Sequence, residues 1–189
     1  MNQVMATGLL RRLAERLLGR IILVRSLPAE VGAGRLVVSA RVGGLKYLFK
    51  APRRWDPELL RIADVLVRPA DQIWDVGANV GLFAMAALHH AGPNGTVLAL
   101  EADHDAVSLL FATARLCGDG LTVLPIAVSN VDGFVRFAIA KRARAANAIE
   151  GFGSTQTGGV LETRTLPSRS LDSLLDHFPA PTVLKIDVE

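Results

Sequence analysis

Short apolar runs alternate with stretches of helical periodicity along most of the chain. Apolar runs of a few residues, bounded by turn residues, are typical of strands buried on both faces of a parallel sheet. Such runs occur at residues 73–76, 96–100, 121–124 and 182–188. The segments between them predict helices at 57–68, 82–90, 104–116 and 170–177, with Asp56, Asp103 and Ser170 as N-caps. This alternation predicts an α/β fold built around a parallel sheet.

A different pattern marks the first 55 residues. Residues 4–24 place leucines and isoleucines at helical spacing beside arginines, which predicts an amphipathic helix. That helix either rests on an anionic membrane surface or packs on the domain or a second subunit, and packing is favoured because soluble domains use the pattern more often. Residues 36–40 and 45–49 flank Gly43 and Gly44 and predict a β-hairpin. We therefore divide the chain into an extension (1–55) and a main domain (56–189).

Composition and charge restrict the classes of function. The arginines interrupt every apolar run well short of the ~20 residues that a membrane span needs, and no secretory cleavage site follows. Cys117 is the only cysteine, which fits a reducing compartment, so we expect a cytoplasmic protein. Residues 1–70 hold 13 Lys or Arg against 5 Asp or Glu, whereas the remainder is acidic. Without a recognised nucleic-acid module, this distribution gives no support for nucleic-acid binding.

The stretch from Gln72 to Gly81 predicts a ligand-binding turn between the first strand of the sheet and the next helix. Gly77 permits a positive φ angle, Gly81 allows close packing of the helix, and backbone N–H groups of the turn point toward a ligand. Asp75 ends the strand and can accept hydrogen bonds. Glu101 ends the second strand, about 20 residues after the glycines, where nucleotide-binding folds place a ribose-binding carboxylate. Together these residues predict a nucleoside site.

The motifs resemble one particular family. The glycines do not fit the dinucleotide pattern G-x-G-x-x-G, whereas Asp75-Val-Gly-Ala-Asn-Val-Gly81 resembles the S-adenosylmethionine (SAM) loop of class I methyltransferases. Together with Glu101, Ala127-Val-Ser129, Leu171-Asp172 and Lys185-Ile-Asp-Val-Glu189, it resembles the FkbM family of SAM-dependent methyltransferases over about residues 56–189. Ala102, Thr113 and Cys117 depart from that family's usual proline and asparagine, and we expect them to alter loop stiffness and helix packing only.

The resemblance implies a fold, a cofactor and a site. The fold is a Rossmann-like class I methyltransferase sheet, here without its C-terminal strands and with an N-terminal helix and hairpin added. The cofactor is SAM, and the acceptor is a hydroxyl of a sugar or small natural product. The catalytic residues are Asp187 and Glu189, and no metal is predicted because one or two carboxylates do not define a metal site. The cofactor-binding residues are Asp75, Gly77, Ala78, Asn79, Gly81, Glu101, Ala102 and Ala127.

Several alternatives stay open. Asp187 acts as a general base, orients the acceptor or helps to hold a divalent ion. Alternatively, Asp187 has no catalytic role and only pairs with Lys185, which lies on the same face of the strand. A non-catalytic SAM-binding remnant and a nucleotide-dependent oxidoreductase are the competing functions. Residues 141–159 predict a mobile loop over the substrate. Because the strand at 182–188 would lie at the sheet edge, we also expect self-association.

Overall fold

A four-stranded parallel sheet forms the centre of the protein. The computed structural model describes residues 18–32, 34–140, 147–151 and 159–188. The sheet has the order β10-β3-β4-β5 and consists of β3 (Gln72–Val76), β4 (Thr96–Leu100), β5 (Leu121–Leu124) and β10 (Val183–Ile186). Trp74 lies between Leu98 and Leu184 in the register. The four strands run in the same direction, so their carboxyl ends share one edge, and the predicted α/β fold with a parallel sheet is confirmed.

Helices cover the sheet where the pattern predicts them. The longer helices are α3 (Pro57–Leu66), α4 (Leu82–Ala91) and α5 (His104–Cys117), and a short α6 (Leu171–Leu174) covers part of the other face. All three predicted N-caps are confirmed, because the side chains of Asp56, Asp103 and Ser170 accept hydrogen bonds from Leu59 N, Asp105 N and Ser173 N. Seven of the ten residues of α4 are buried, so most of this helix lies in the main core. No helix within the described ranges has the length and apolar character to cross a membrane.

A second sheet lies beyond β5 and has the order β6-β9-β7-β8. Its strands are β6 (Ala127–Val128), β7 (Gly133–Ala140), β8 (Ala148–Ile149) and β9 (Val160–Arg169). β9 pairs antiparallel with β7 and parallel with β6. The predicted strands at 134–139 and 161–166 are therefore confirmed. The prediction of a mobile loop over 141–159 is wrong for residues 147–149, since they form β8 and its approach; residues 141–146 and 152–158 lie outside the described residues.

The hairpin prediction for residues 36–49 is wrong in its pairing. β2 (Arg35–Ser39) pairs antiparallel with the preceding β1 (Ile22–Ser26), and the chain then forms the short helices α1 (Ala40–Gly43) and α2 (Lys46–Phe49). Ser39 ends the strand and starts α1, because its Oγ accepts a hydrogen bond from Arg41 N. The predicted helix over 4–24 is wrong at its end, where the β-branched residues Ile22 and Val24 belong to β1; its residues 4–17 lie outside the described residues.

The N-terminal elements share one core with the main sheet. Leu36, Val38 and Trp55 belong to the same buried cluster as Phe83 and Leu110. Val37 N also donates a 2.9 Å hydrogen bond to Thr113 Oγ1, in the middle of α5, with both groups buried. Arg41 Nε lies 3.1 Å from Asp105 Oδ2 at the start of α5. The N-terminal extension and the main domain are therefore packed together in one core. Their division between residues 55 and 56 stays a prediction.

Candidate functional site

A cavity of about 320 Å³ opens at the carboxyl edge of the parallel sheet. Small-ligand pockets in proteins typically measure roughly 300–1,000 Å³, so the cavity has the size of such a site. Five parts of the chain line it, namely the turn after β3, the end of β4, the β6–β8 region, the end of β10 and a segment that precedes the sheet. The predicted site residues on its wall are Gly77, Ala78, Asn79, Glu101, Ala102, Ala127 and Asp187.

The turn after β3 has the backbone conformation predicted for it. Gly77, Asn79 and Gly81 have φ angles of 77°, 53° and 89°. The predicted use of its N–H groups is wrong in part, because Gly77 N and Ala78 N both donate to Leu100 O and Asn79 N donates to Glu101. These bonds attach the turn to β4. A Cβ added at Gly81 would lie 2.6 Å from Leu110 Cδ1, so this glycine permits close packing against α5 rather than against β3.

Glu101 is held firmly at the end of β4. Its Oε2 accepts from Asn79 N and its Oε1 from Asp103 N, each at 2.7 Å. Burial raises the pKa of this carboxyl above its ordinary value, while the two backbone hydrogen bonds oppose the rise. A carboxylate oxygen has a second lone pair, so each oxygen can still accept a bond from a ligand hydroxyl. The structure thus brings Glu101 to the glycine turn, as the sequence predicts.

The remaining wall suits a nucleoside. Asn79 lies on it, and its buried Oδ1 has no hydrogen-bond partner within the described ranges. Buried polar groups in proteins nearly always have a partner, so an unpartnered amide beside a cavity is consistent with a polar ligand there. Ile126, Ala127 and Val128 supply an adjoining apolar surface. The combination of carboxylate, amide and apolar wall fits the hydroxyls and base of a nucleoside.

Asn147 belongs to the site and was missed by the sequence reasoning. Its Nδ2 donates to Asp103 Oδ2 at 2.7 Å, and its Oδ1 accepts from Ala140 N at 2.9 Å. Asn147 and Asp103 are both buried, and both line the cavity. The second sheet is thereby joined to the loop that holds Glu101. No local signal in the sequence marks this contact, because 44 residues separate the two partners.

Asp75, Lys185 and Asp187 form a cluster of charged side chains next to the turn after β3. Lys185 Nζ lies 2.9 Å from Asp75 Oδ1, donates to Gly77 O at 3.0 Å and lies 3.7 Å from Asp187 Oδ2. Asp75 is completely buried and does not line the cavity, and the contact with Lys185 lacks the geometry of a good hydrogen bond. Burial raises the pKa of Asp75, and the Lys185 ammonium opposes that rise. The main partner of Lys185 is therefore Asp75.

Asp187 remains accessible. Its side chain is 76% exposed and lies on the cavity wall, on the same face of the chain as Lys185. The 3.7 Å separation is loose for an ion pair, so Lys185 leaves most of this carboxylate available. Glu189, the second predicted catalytic residue, lies outside the described residues. Within the described ranges, no three His, Cys, Asp or Glu side chains are grouped closely enough to hold a metal ion.

Comparison with known proteins gives a family. Residues 75–189, more than half of the chain, match the family model described as the methyltransferase FkbM domain. No curated protein matches the chain. Among solved structures, TYW2 from Pyrococcus horikoshii in complex with MeSAdo is 17% identical, with 59% of this chain and 38% of that one covered at a TM-score of 0.44. A putative transferase from Pyrococcus horikoshii is also 17% identical, with 56% and 36% covered at a TM-score of 0.42.

A SAM-dependent methyltransferase from Aquifex aeolicus is 17% identical, with 47% of this chain and 50% of that one covered at a TM-score of 0.38. The chain thus spans half or less of the length of these three structures. The family match includes the turn after β3, Glu101 and the closing segment with Lys185 and Asp187, which are the motifs that carry the resemblance in the sequence. The chain belongs to the family of FkbM methyltransferase domains.

Proposed function

We propose that the protein binds SAM in the cavity at the sheet edge and transfers its methyl group to a hydroxyl of a small molecule, such as a sugar or natural product. The observation that carries this proposal is the placement of Glu101. Its carboxylate lies at the end of β4, on the cavity wall, with both oxygens oriented by backbone N–H groups. An acceptor held this rigidly suits the paired hydroxyls of a ribose.

The other wall residues divide the cavity by chemistry. Ala102, Ile126 and Ala127 form the apolar side that would accept an adenine ring. Gly77 and Asn79 form the polar side that would accept the methionine group. When bound, SAM supplies a methyl group activated by its sulfonium. The protein itself has to hold the two reactants close together, exclude water and manage one proton.

Asp187 is the residue we assign to that proton. It is the exposed carboxylate on the cavity wall at the end of β10, beside β3, so an acceptor hydroxyl can reach it from solvent. As general base, Asp187 Oδ would accept the hydroxyl proton as the acceptor oxygen takes the methyl group, and the broken C–S bond would leave its electron pair on sulfur in a neutral thioether. Lys185 stays bound to Asp75 and Gly77 O and keeps the end of β10 in position. Glu189 is the further candidate for contact with the acceptor.

Calorimetric titration tests the binding part of the proposal. We expect the chain to bind SAM and to show no comparable affinity for NAD. Glu101→Ala removes charge-assisted contacts to two hydroxyls, worth about 1.5–3 kcal/mol, so SAM binding should weaken by about tenfold to a hundredfold. The exposed Glu30 provides the matched control, because Glu30→Ala removes a carboxylate outside the cavity wall. Equal affinity of the Glu101→Ala variant and the parent would exclude Glu101 as the ribose ligand.

Transfer itself needs a second measurement. Incubation with labelled SAM and a panel of sugars and small hydroxylated compounds should give labelled product, and Asp187→Asn should reduce the rate about a hundredfold or more while SAM affinity is retained. SAM binding without transfer to any hydroxylated compound would instead support the non-catalytic alternative. Tighter binding of NAD than of SAM would support the oxidoreductase.

A further inference from the structure

The cavity wall carries two ammonium groups within the described ranges, and they differ in their partners. Lys185 is engaged by Asp75, Gly77 O and, more loosely, Asp187. Lys46, from the short helix α2, lines the same cavity and has no ion pair with any carboxylate of the described residues. Of these two ammonium groups, that of Lys46 is therefore available to a ligand.

Lys46 lies over one of two aromatic rings that pack together. Its Nζ lies 5.2 Å from the centroid of the Tyr47 ring, a cation–π distance. Tyr47 is buried and packs at 4.7 Å against Trp55, whose indole Nε1 donates to Lys50 O at 3.1 Å. Burial first and Asp56 second keep the pKa of Tyr47 far above its usual range, so the phenol stays neutral. The Lys46 ammonium is thus positioned in advance at the cavity.

The other ionisable groups of the wall are mostly acids. Glu101, Asp103, Asp56 and Asp187 all belong to the lining of the cavity. These carboxylates favour ligand cations and repel ligand anions. SAM carries one anion, the carboxylate of its methionine group, and leaving that anion without a cationic partner among four acids would weaken binding. With Lys185 already engaged, Lys46 is the cation that remains for it among the described residues of the lining.

We propose that Lys46 binds the methionine carboxylate of SAM, an inference that rests on SAM being the ligand. Lys46 lies before residue 75, where the family match begins, so the segment at residues 42–59 adds a cofactor contact that the matched domain does not contain. With the ribose at Glu101 and the adenine at Ile126 and Ala127, the methionine group is left to the rest of the lining, to which Gly77 and Lys46 belong. The segment therefore takes part in cofactor selection.

Two ligands that differ only in that carboxylate test the proposal. Decarboxylated SAM keeps the adenosine, the sulfonium and the amine, and has a hydrogen in place of the carboxylate. Both ligands are titrated calorimetrically into the 189-residue chain and into its Lys46→Met variant. We expect Lys46→Met to weaken SAM binding about tenfold and to leave the affinity for decarboxylated SAM unchanged within about twofold. Lys46→Arg should retain most of the affinity for SAM.

Lys50→Met is the matched control. Lys50 is an exposed lysine four residues away, lies off the cavity wall, and contacts Trp55 through its backbone oxygen, which the substitution keeps. It should leave the binding of both ligands unchanged. Thermal unfolding of each variant shows whether it is folded, and Lys46→Gln replaces Lys46→Met if the latter is not.

The outcomes separate this inference from the proposed function. Unchanged SAM affinity in a folded Lys46 variant overturns the inference and leaves SAM binding intact. An equal loss for both ligands also overturns it, because Lys46 would then act on the shape of the cavity rather than on the carboxylate. Failure of the parent chain to bind either ligand overturns the proposed function, and the inference with it.

Discussion

Replacing Lys185 by methionine should destabilise the protein in a way that depends on pH. The substitution keeps an unbranched, apolar side chain of similar length and removes the ammonium that lies 2.9 Å from Asp75 Oδ1. Asp75 is then completely buried without a counter-ion. Breaking a buried ion pair by removing one partner typically costs about 3–5 kcal/mol. The loss of the hydrogen bond to Gly77 O is included in that range.

Protonation of Asp75 sets an upper limit on the electrostatic part of that cost. An unfolded Asp has a pKa of about 3.9, so keeping this carboxyl neutral costs about 4 kcal/mol near pH 7 and about 2 kcal/mol near pH 5.5. The folded-state pKa of Asp75 is already raised, so the folded protein takes up this proton before the unfolded chain does as the pH falls. The destabilisation by Lys185→Met should therefore be largest near pH 7, at up to about 4 kcal/mol, and should shrink to about 2 kcal/mol or less near pH 5.5.

Urea unfolding followed by tryptophan fluorescence measures this difference, since Trp74 is buried next to Asp75 in the same strand. The raised pKa of Glu101 is common to parent and variant and cancels in their difference. The double variant Asp75→Asn, Lys185→Met is the control, because it leaves no unpaired buried charge at this position. The difference between its free energy of unfolding and that of the parent should not increase toward neutral pH. A destabilisation by Lys185→Met of the same size at both pH values would refute this reasoning.

Four further predictions follow from single contacts. Glu101→Gln offers one acceptor oxygen to two backbone donors, so SAM affinity by calorimetry should fall less than in Glu101→Ala; an equal fall would contradict the geometry. Gly77→Val should abolish SAM binding, and it should also lower the free energy of unfolding in urea by about 3 kcal/mol or more, because its Cβ would lie 2.2 Å from Asp187 O. An unchanged free energy of unfolding would argue against this contact. Thr113→Val should cost about 1–3 kcal/mol in the same assay, since it strands the buried Val37 N, whereas the exposed Thr122→Val should change little. Leu184 and Ile186 are exposed along β10, which pairs with a strand on one side only within the described ranges. Sedimentation over a concentration series should therefore show self-association of this chain, and a stable monomer would contradict the prediction.

The central sheet could be predicted because its local signals agree with one another. The apolar runs of β3, β4 and β5 are short, bounded by turns and followed by residues such as Asp103 that cap the next helix. The N-terminal part could not be predicted correctly, since its signals conflict. Residues 22–24 fit both an amphipathic helix and a strand, and only pairing with β2 decides between them. Gly43 and Gly44 suggest a hairpin turn, whereas the Ser39 cap makes a helix there.

The site shows the same division between local and distant information. The positions of Gly77 and Glu101 follow from their order along a βαβ unit. Asn147 and Lys46 come to the cavity through contacts between elements far apart in sequence, and no local pattern encodes such contacts. The hydrogen-bond acceptors of the turn's N–H groups could not be predicted from the sequence either. Gly77 N and Ala78 N both donate to Leu100 O, and this oxygen is within reach only because β4 lies beside β3.

The continuous core beneath the cavity has a consequence for how ligand occupancy affects the whole chain. β2 packs on α5 through the bond from Val37 N to Thr113, and Lys46 and Glu101 line one cavity. A ligand that contacts both Lys46 and Glu101 binds only the state in which β2, α2 and β4 are all folded. At a free ligand concentration of a hundred times its dissociation constant, it stabilises that state by about 2.7 kcal/mol. Amide hydrogen exchange should therefore slow throughout β2 and α2 when the cavity is filled, so that residues before the matched domain report on binding within it.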